Sequence, residues 1–130
     1  MNLWTFKCFL KNKSGDDVVE AWYNDQTVEV RAAFDSAINF LSQQARWQRP
    51  QVGTLTEECS GLIEIRFKAG RKQYRPLGCY GGEKVFIFLL PEVVEKDSKF
   101  VPKDACTIAK KRKDIIDGDK DHVQVCEFES

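Results

Sequence analysis

Residues 61–76 read GLIEIRFKAGRKQYRP. Taken two at a time, Ile63, Ile65 and Phe67 fall on one face and Glu64, Arg66 and Lys68 on the other, the alternation of a strand with one side buried. Gly70, Arg71 and Lys72 make a turn, and Tyr74 and Arg75 open a second run. The pattern predicts strands over 62–68 and 73–80, joined by a short glycine-containing connection. After Gly81-Gly82-Glu83 comes a third strand, 84–90. Its run from Val85 to Leu90 is apolar on both faces, which places it centrally, covered from both sides. Residues 61–75 carry Arg66, Lys68, Arg71, Lys72 and Arg75 against one acid, Glu64, with Arg66, Lys68 and Arg75 on the polar face. Such a face is either an ordinary solvated surface or the floor of a site for something anionic.

Working outward, LWTFKCFL (residues 3–10) sets Trp4, Phe6, Cys8 and Leu10 on one wholly apolar face, a first strand. Lys11 to Gly15 is a polar turn. Asp16 and Asp17 precede VVEAWYND, and acids in a first turn suit the positive end of a helix, so 16–24 reads as a short helix. Thr27 caps a longer one to about residue 45. Its stripe of Val30, Ala33, Phe34, Ala37, Ile38 and Leu41 has helical spacing, and Pro50 lies beyond its end. After Pro91 the chain is a polar crossover. Pro102 opens a last helix with Ala105, Ile108, Ala109 and Ile116 on one side and Lys110, Lys111 and Lys113 outward. Asp117-Gly118-Asp119 ends it, and HVQVCEF alternates as an edge strand would. The expectation is one α+β domain over 1–116, a helical hairpin packed on a mainly antiparallel sheet, with a polar tail over 117–130.

The chain has 130 residues, 42% hydrophobic and 31% charged, the profile of one globular domain. No apolar run approaches the roughly 18 residues that cross a bilayer. MNLWTFKCFLKNK lacks the basic leader and apolar core of a signal peptide, so a cytoplasmic location is expected, with no membrane partner. Cys8, Cys59, Cys79, Cys106 and Cys126 form no CxxC pair, which argues against zinc, and they are expected to be reduced, buried thiols. The single histidine, His122, lies in the polar tail, so no cysteine has a paired base. Lys+Arg and Asp+Glu balance at 20 each, yet the charges are segregated. The cations of 61–75 and Lys110-Lys111-Arg112-Lys113 make local basic surfaces on a neutral chain.

The ordered motifs carry a resemblance. They are Glu64-Ile65-Arg66-Phe67, Tyr74-Arg75, Gly81-Gly82 before the run from Val85, and Lys99-Phe100-Val101-Pro102 before the helix to Ile116. From residue 3 to 116 the chain resembles the phage-derived HigB branch of the RelE toxin superfamily. The resemblance implies a RelE-like fold and a type II toxin, a ribosome-dependent mRNA endoribonuclease without metal or other cofactor. Its partners would be mRNA in the ribosomal A site and a helix-turn-helix antitoxin. The chemistry is attack by the ribose 2′-hydroxyl to give a cyclic phosphate. That needs proton transfer at two oxygens and fixed cations around the phosphate. On this resemblance Arg66, Arg75 and Tyr74 are the catalytic candidates. Lys68, Arg71, Lys72 and Tyr80 would contact RNA, with Lys96 and Lys99 closing over it from the crossover. One departure is that Leu89-Leu90-Pro91-Glu92 stands where many relatives carry a histidine. The residues leave other readings open: a Glu64–Arg66 surface ion pair, a core role for Tyr74, a solvated face at 110–113, and a descendant that binds a partner protein without cutting RNA.

Overall fold

The hairpin expected over 62–80 exists, but it changes sheet halfway along both strands. In the computed structural model, which describes residues 2–13 and 15–127, residues 62–68 divide into β4 (Ile63–Ile65) and β5 (Phe67–Ala69). Residues 73–80 divide into β6 (Lys72–Tyr74) and β7 (Leu77–Gly82). Arg66 and the Arg75-Pro76 pair sit at the two breaks. Pro76 has no N–H to give a ladder, which interrupts the second strand. The neighbouring amides find partners elsewhere: Arg66 N donates to Gln51 O at 2.8 Å and Arg75 N to Val93 O at 2.8 Å.

The larger sheet also contains β1 (Thr5–Asn12), β3 (Val52–Thr54), β8 (Val85–Leu90) and β11 (Val123–Val125). Its order is β11-β1-β8-β7-β4-β3, with the short β2 (Gly15–Asp17) folded back on β1. β1 and β8 run parallel, Phe6 opposite Phe86 and Cys8 opposite Phe88. The other ladders are antiparallel, so the sheet is mixed. The smaller sheet, β10-β9-β6-β5, corrects the reading of the polar crossover. Residues 94–101 are a hairpin, β9 (Val94–Lys96) and β10 (Lys99–Val101). Asp97 and Ser98 make its turn with φ of 52° and 64°, the handedness a two-residue hairpin turn requires.

Among the described residues three α-helices pack on these sheets. α1 (Val18–Asn24) starts later than expected, because Asp17 is its N-cap and not part of its first turn. The Asp17 carboxylate accepts from Val19 N at 2.9 Å and Glu20 N at 3.1 Å. α2 (Val28–Ser42) is capped by Thr27 Oγ1, which accepts from Val30 N, and it stops before residue 45. Phe34 of α2 is fully buried against Trp22, Phe67 and Phe88. α3 (Ala105–Gly118) covers the other face. There Arg112 donates to Leu89 O at 2.7 Å and lies over the Phe9 ring. β8 is thus covered from both sides, which is why both its faces are apolar. The edge strand expected in HVQVCEF forms over Val123–Val125 as β11, paired antiparallel with β1, while Phe128 lies outside the described residues.

The cysteines depart from the expectation of reduced thiols. Cys8 and Cys126 are bridged, as are Cys59 and Cys106, and Cys79 is free and buried. Separations of 118 and 47 residues leave no local spacing motif to read. The β1–β11 ladder brings the first pair to a Cα distance of 5.3 Å, within bridging range. Among the described residues no helix is long and apolar enough to cross a membrane.

Candidate functional site

The two sheet breaks put Arg66 and Arg75 side by side. Alternation sets Arg66 and Lys68 on one face of their strand, and register opposes Lys68 to Gln73, two residues before Arg75. The side chains of Pro50, Gln51, Arg66, Phe67, Gln73 and Arg75 line an open groove of about 370 Å³. Both guanidinium groups are held. Arg66 Nε donates to the Glu64 carboxylate, and these form an ion pair in which Glu64 is almost fully buried. Arg75 is 7% exposed; it donates to Glu95 at 3.2 Å, to Gln73 Oε1 at 2.7 Å and to Tyr74 O at 3.0 Å. Gly53 makes room for the first pair. A Cβ there would lie 2.9 Å from Glu64 Oε2 and 3.1 Å from an Arg66 terminal nitrogen.

The remaining sequence candidates divide. Lys68, Arg71 and Lys72 are exposed around the β5–β6 turn and make no ion pair among the described residues. Lys68 shares the groove face, whereas Lys72, opposite Ala69, belongs to the other parity. Tyr74 is buried. Its ring stacks on Phe67 at 4.8 Å and meets Trp22 edge-on, leaving no ring face for a base. Burial, with the Glu29 carboxylate second, holds its phenol above the ordinary tyrosine pKa. Tyr80 lies apart, with Trp4 and Trp47. Lys96 and Lys99 face each other across the β9–β10 hairpin, and neither is among the residues that line the Arg66 groove. Lys99 lines a separate cavity with Glu58, Lys103 and the Cys59–Cys106 bridge. What β9 turns toward Arg75 is Glu95, opposite Gln73 in register.

The Glu64–Arg66 ion pair weighed from the sequence exists, with Glu64 buried where a surface pair was considered. The carboxylate of Glu95 and the amides of Gln51 and Gln73 are site residues that charge counting passed over. Gln73 had a legible signal, since it alternates onto the Arg75 face. Glu95 had none until the polar crossover proved to be a strand. His122 stands elsewhere, its Nδ1 2.9 Å from Leu10 O and its ring on Phe9. The groove therefore presents two guanidinium groups, each paired with a carboxylate that does not itself line the groove. This is the arrangement of a small α+β domain with a basic cleft at the junction of two sheets.

The family described as Phage derived protein Gp49-like (DUF891) matches residues 21–114, a span from within α1 to within α3 that contains both sheet breaks and the whole groove. The chain belongs to this phage-derived family. No curated protein and no solved structure matches it.

Proposed function

We propose that the protein is the toxin of a type II toxin–antitoxin pair, cutting mRNA in the ribosomal A site in the cytoplasm. One observation carries the reading: Arg66 and Arg75, on the two arms of one hairpin, line one open groove at the bend of the sheets. Membership of a phage-derived family and the order of the RelE-like motifs support it. In the reaction the ribose 2′-oxygen bonds to the adjacent phosphorus and the bond to the 5′-oxygen breaks. The 2′ proton passes to a base, and the departing oxygen takes a proton. The half-buried Arg66 fork binds the non-bridging oxygens as their charge grows. Arg75, fixed by three acceptors, acts as a positioning cation behind it. Lys68 steers the strand on the same face. A helix-turn-helix antitoxin that silences the toxin would cover this groove, with an affinity that weakens as salt rises.

A second reading is favoured by a different observation. Both arginines are already paired with carboxylates, and the single histidine lies on the far side of β1. That suits a descendant of the fold that binds a partner protein and leaves RNA intact. Induced expression in a bacterium separates the two. The toxin reading expects growth arrest and mRNA fragments with cyclic phosphate ends. Both should disappear in the Glu64→Gln/Arg66→Gln double variant, which removes the pair without leaving a buried charge. Harmless wild-type protein removes the toxin reading and leaves the binding one.

A further inference from the structure

The C-terminal end of α3 leaves part of the larger sheet uncovered. β1, β8 and β7 set Lys7 opposite Ile87 and Ile87 opposite Cys79, a row of three side chains on one face. α3 stops at Gly118, and the chain returns through a single 3₁₀ turn, Lys120–His122, to β11. Between the row and the returning chain lies a recess of about 360 Å³ that shares no lining residue with the arginine groove. Its apolar surface comes from Cys79, Ile87 and Ile116, all buried, and from the half-buried Val123. Its rim carries Lys7 from β1, Lys113 from α3 and Lys120 from the return.

The charges of this recess do not cancel. Asp117 is its acid, 3.3 Å from Lys113 Nζ, while the nearby Asp119 is taken by Lys13 at 2.6 Å. Lys7 and Lys120 make no ion pair among the described residues. Lys7 is half-buried on an interior strand, between β11 and β8. A stem laid along apolar surface with its ammonium in water accounts for one such lysine. It does not account for three ammonium groups around one recess, which repel each other. Cys79 is the free thiol of the chain. Burial holds it above the ordinary thiol pKa, against the opposing charges of Lys113 and Lys120, so it is a neutral wall and not a nucleophile. An apolar floor below an unneutralised cationic rim fits a molecule with both characters. A bare inorganic anion would leave the floor wet, and a neutral hydrocarbon would leave the ammonium groups unpaired. Recesses of this size hold small molecules, with apolar walls for the body and a few polar groups that fix its orientation.

We propose that the recess between α3 and the β1–β8–β7 row binds a small amphiphilic carboxylate, its head between Lys7 and Lys120 and its apolar body on Ile87, Cys79 and Ile116. The site stands or falls independently of the toxin reading. Its probe is octanoate, with octylammonium as the charge-reversed control, and binding is followed through the amide chemical shifts of the bridged protein. Octanoate should give saturable shifts confined to residues 79–81, 87 and 113–123, and octylammonium should not. Lys7→Gln with Lys120→Gln leaves the floor intact and should weaken octanoate binding roughly tenfold. Raised salt should weaken the wild type in the same direction. Bound octanoate should also slow alkylation of Cys79 by iodoacetamide, a neutral reagent for which no bridged cysteine competes. Absence of shifts around the recess overturns the site. Equal binding of octylammonium overturns the carboxylate, as does unchanged affinity in a double variant whose other amide shifts match wild type. Shifts spread over exposed side chains such as Phe40 and Val28 would show octanoate coating the surface, and would overturn the site as well.

Discussion

Glu64 is a carboxylate with 4% of its side chain exposed, and Arg66 is its ion-pair partner. Removing one partner of such a pair strands the other. Arg66→Ala should therefore lose roughly 2–4 kcal/mol of stability, measured by urea unfolding. The Glu64→Gln/Arg66→Gln variant should unfold close to wild type, because neither residue is then left charged and unpaired. Loss of toxicity in Arg66→Ala alone would thus mix folding with chemistry, and the double variant separates them. Tyr74 makes a second residue-scale case. Its folded pKa is raised above 10.0 by burial, so the unfolded chain ionises first on the alkaline side. Stability is full below about pH 10 and falls as pH rises from there through the raised folded pKa. Tyr74→Phe should flatten that part of an alkaline unfolding profile; an unchanged profile would place the titration elsewhere. At this scale alternation was enough to put Arg66 and Arg75 on one face. The same alternation assigns Tyr74 to the Phe67 face, where the core takes it. The resemblance, not the period, had drawn it into the site.

At the scale of elements, the strands and helices with a single periodic stripe were readable, β1, α2, α3 and the edge strand β11, and β8 was readable from its continuous apolar run. What could not be read was where a strand changes partner. Period-two alternation continues unbroken through Arg66, because bending a strand between two sheets does not reverse its side chains. The β9–β10 hairpin was hidden for another reason. Its strands have three residues each, are mostly solvated, and join through Asp97 and Ser98 in place of a glycine turn signal. Contact across β7 and β8 gives a test of how tightly the central strands meet. A Cβ on Gly78 would lie 2.2 Å from Ile87 O, a backbone atom held in its ladder, and against the buried Phe86 ring. Gly78→Ala should then lose about 1–3 kcal/mol, as overpacking does. Gly118, with open space around it, should accept alanine with little change or a small gain. A Gly78→Ala protein as stable as wild type would show that β7 can shift away from β8.

For the whole molecule, the order of the longer elements was legible, but the short strands β2, β3, β9 and β10 were not, nor was the closure, which depends on residues 118 positions apart. β11 has three residues, and Val125 is 58% exposed, so its apolar burial is slight. Two bonds of different kinds hold it: the antiparallel ladder to β1 and the Cys8–Cys126 bridge. The bridge constrains almost the entire chain in the unfolded state, and a crosslink of this reach typically stabilises by roughly 2–4 kcal/mol. Cys126→Ser should accordingly lower the melting temperature. It should also raise amide exchange selectively over 123–125 and in the facing part of β1, leaving α2 and the groove strands protected. Reducing agent, which opens both bridges, should lower the wild-type melting temperature by at least as much. In Cys126→Ser it should add only what the Cys59–Cys106 bridge contributes, because Cys79 is already a thiol. Equal melting of wild type with and without reductant would mean that the bridges do not hold the fold, and that the ladder alone keeps β11 in place. The groove lies on β4 to β7, away from this edge. A Cys126→Ser protein that melts earlier yet keeps its activity would therefore show that the edge closure supports the fold and not the chemistry.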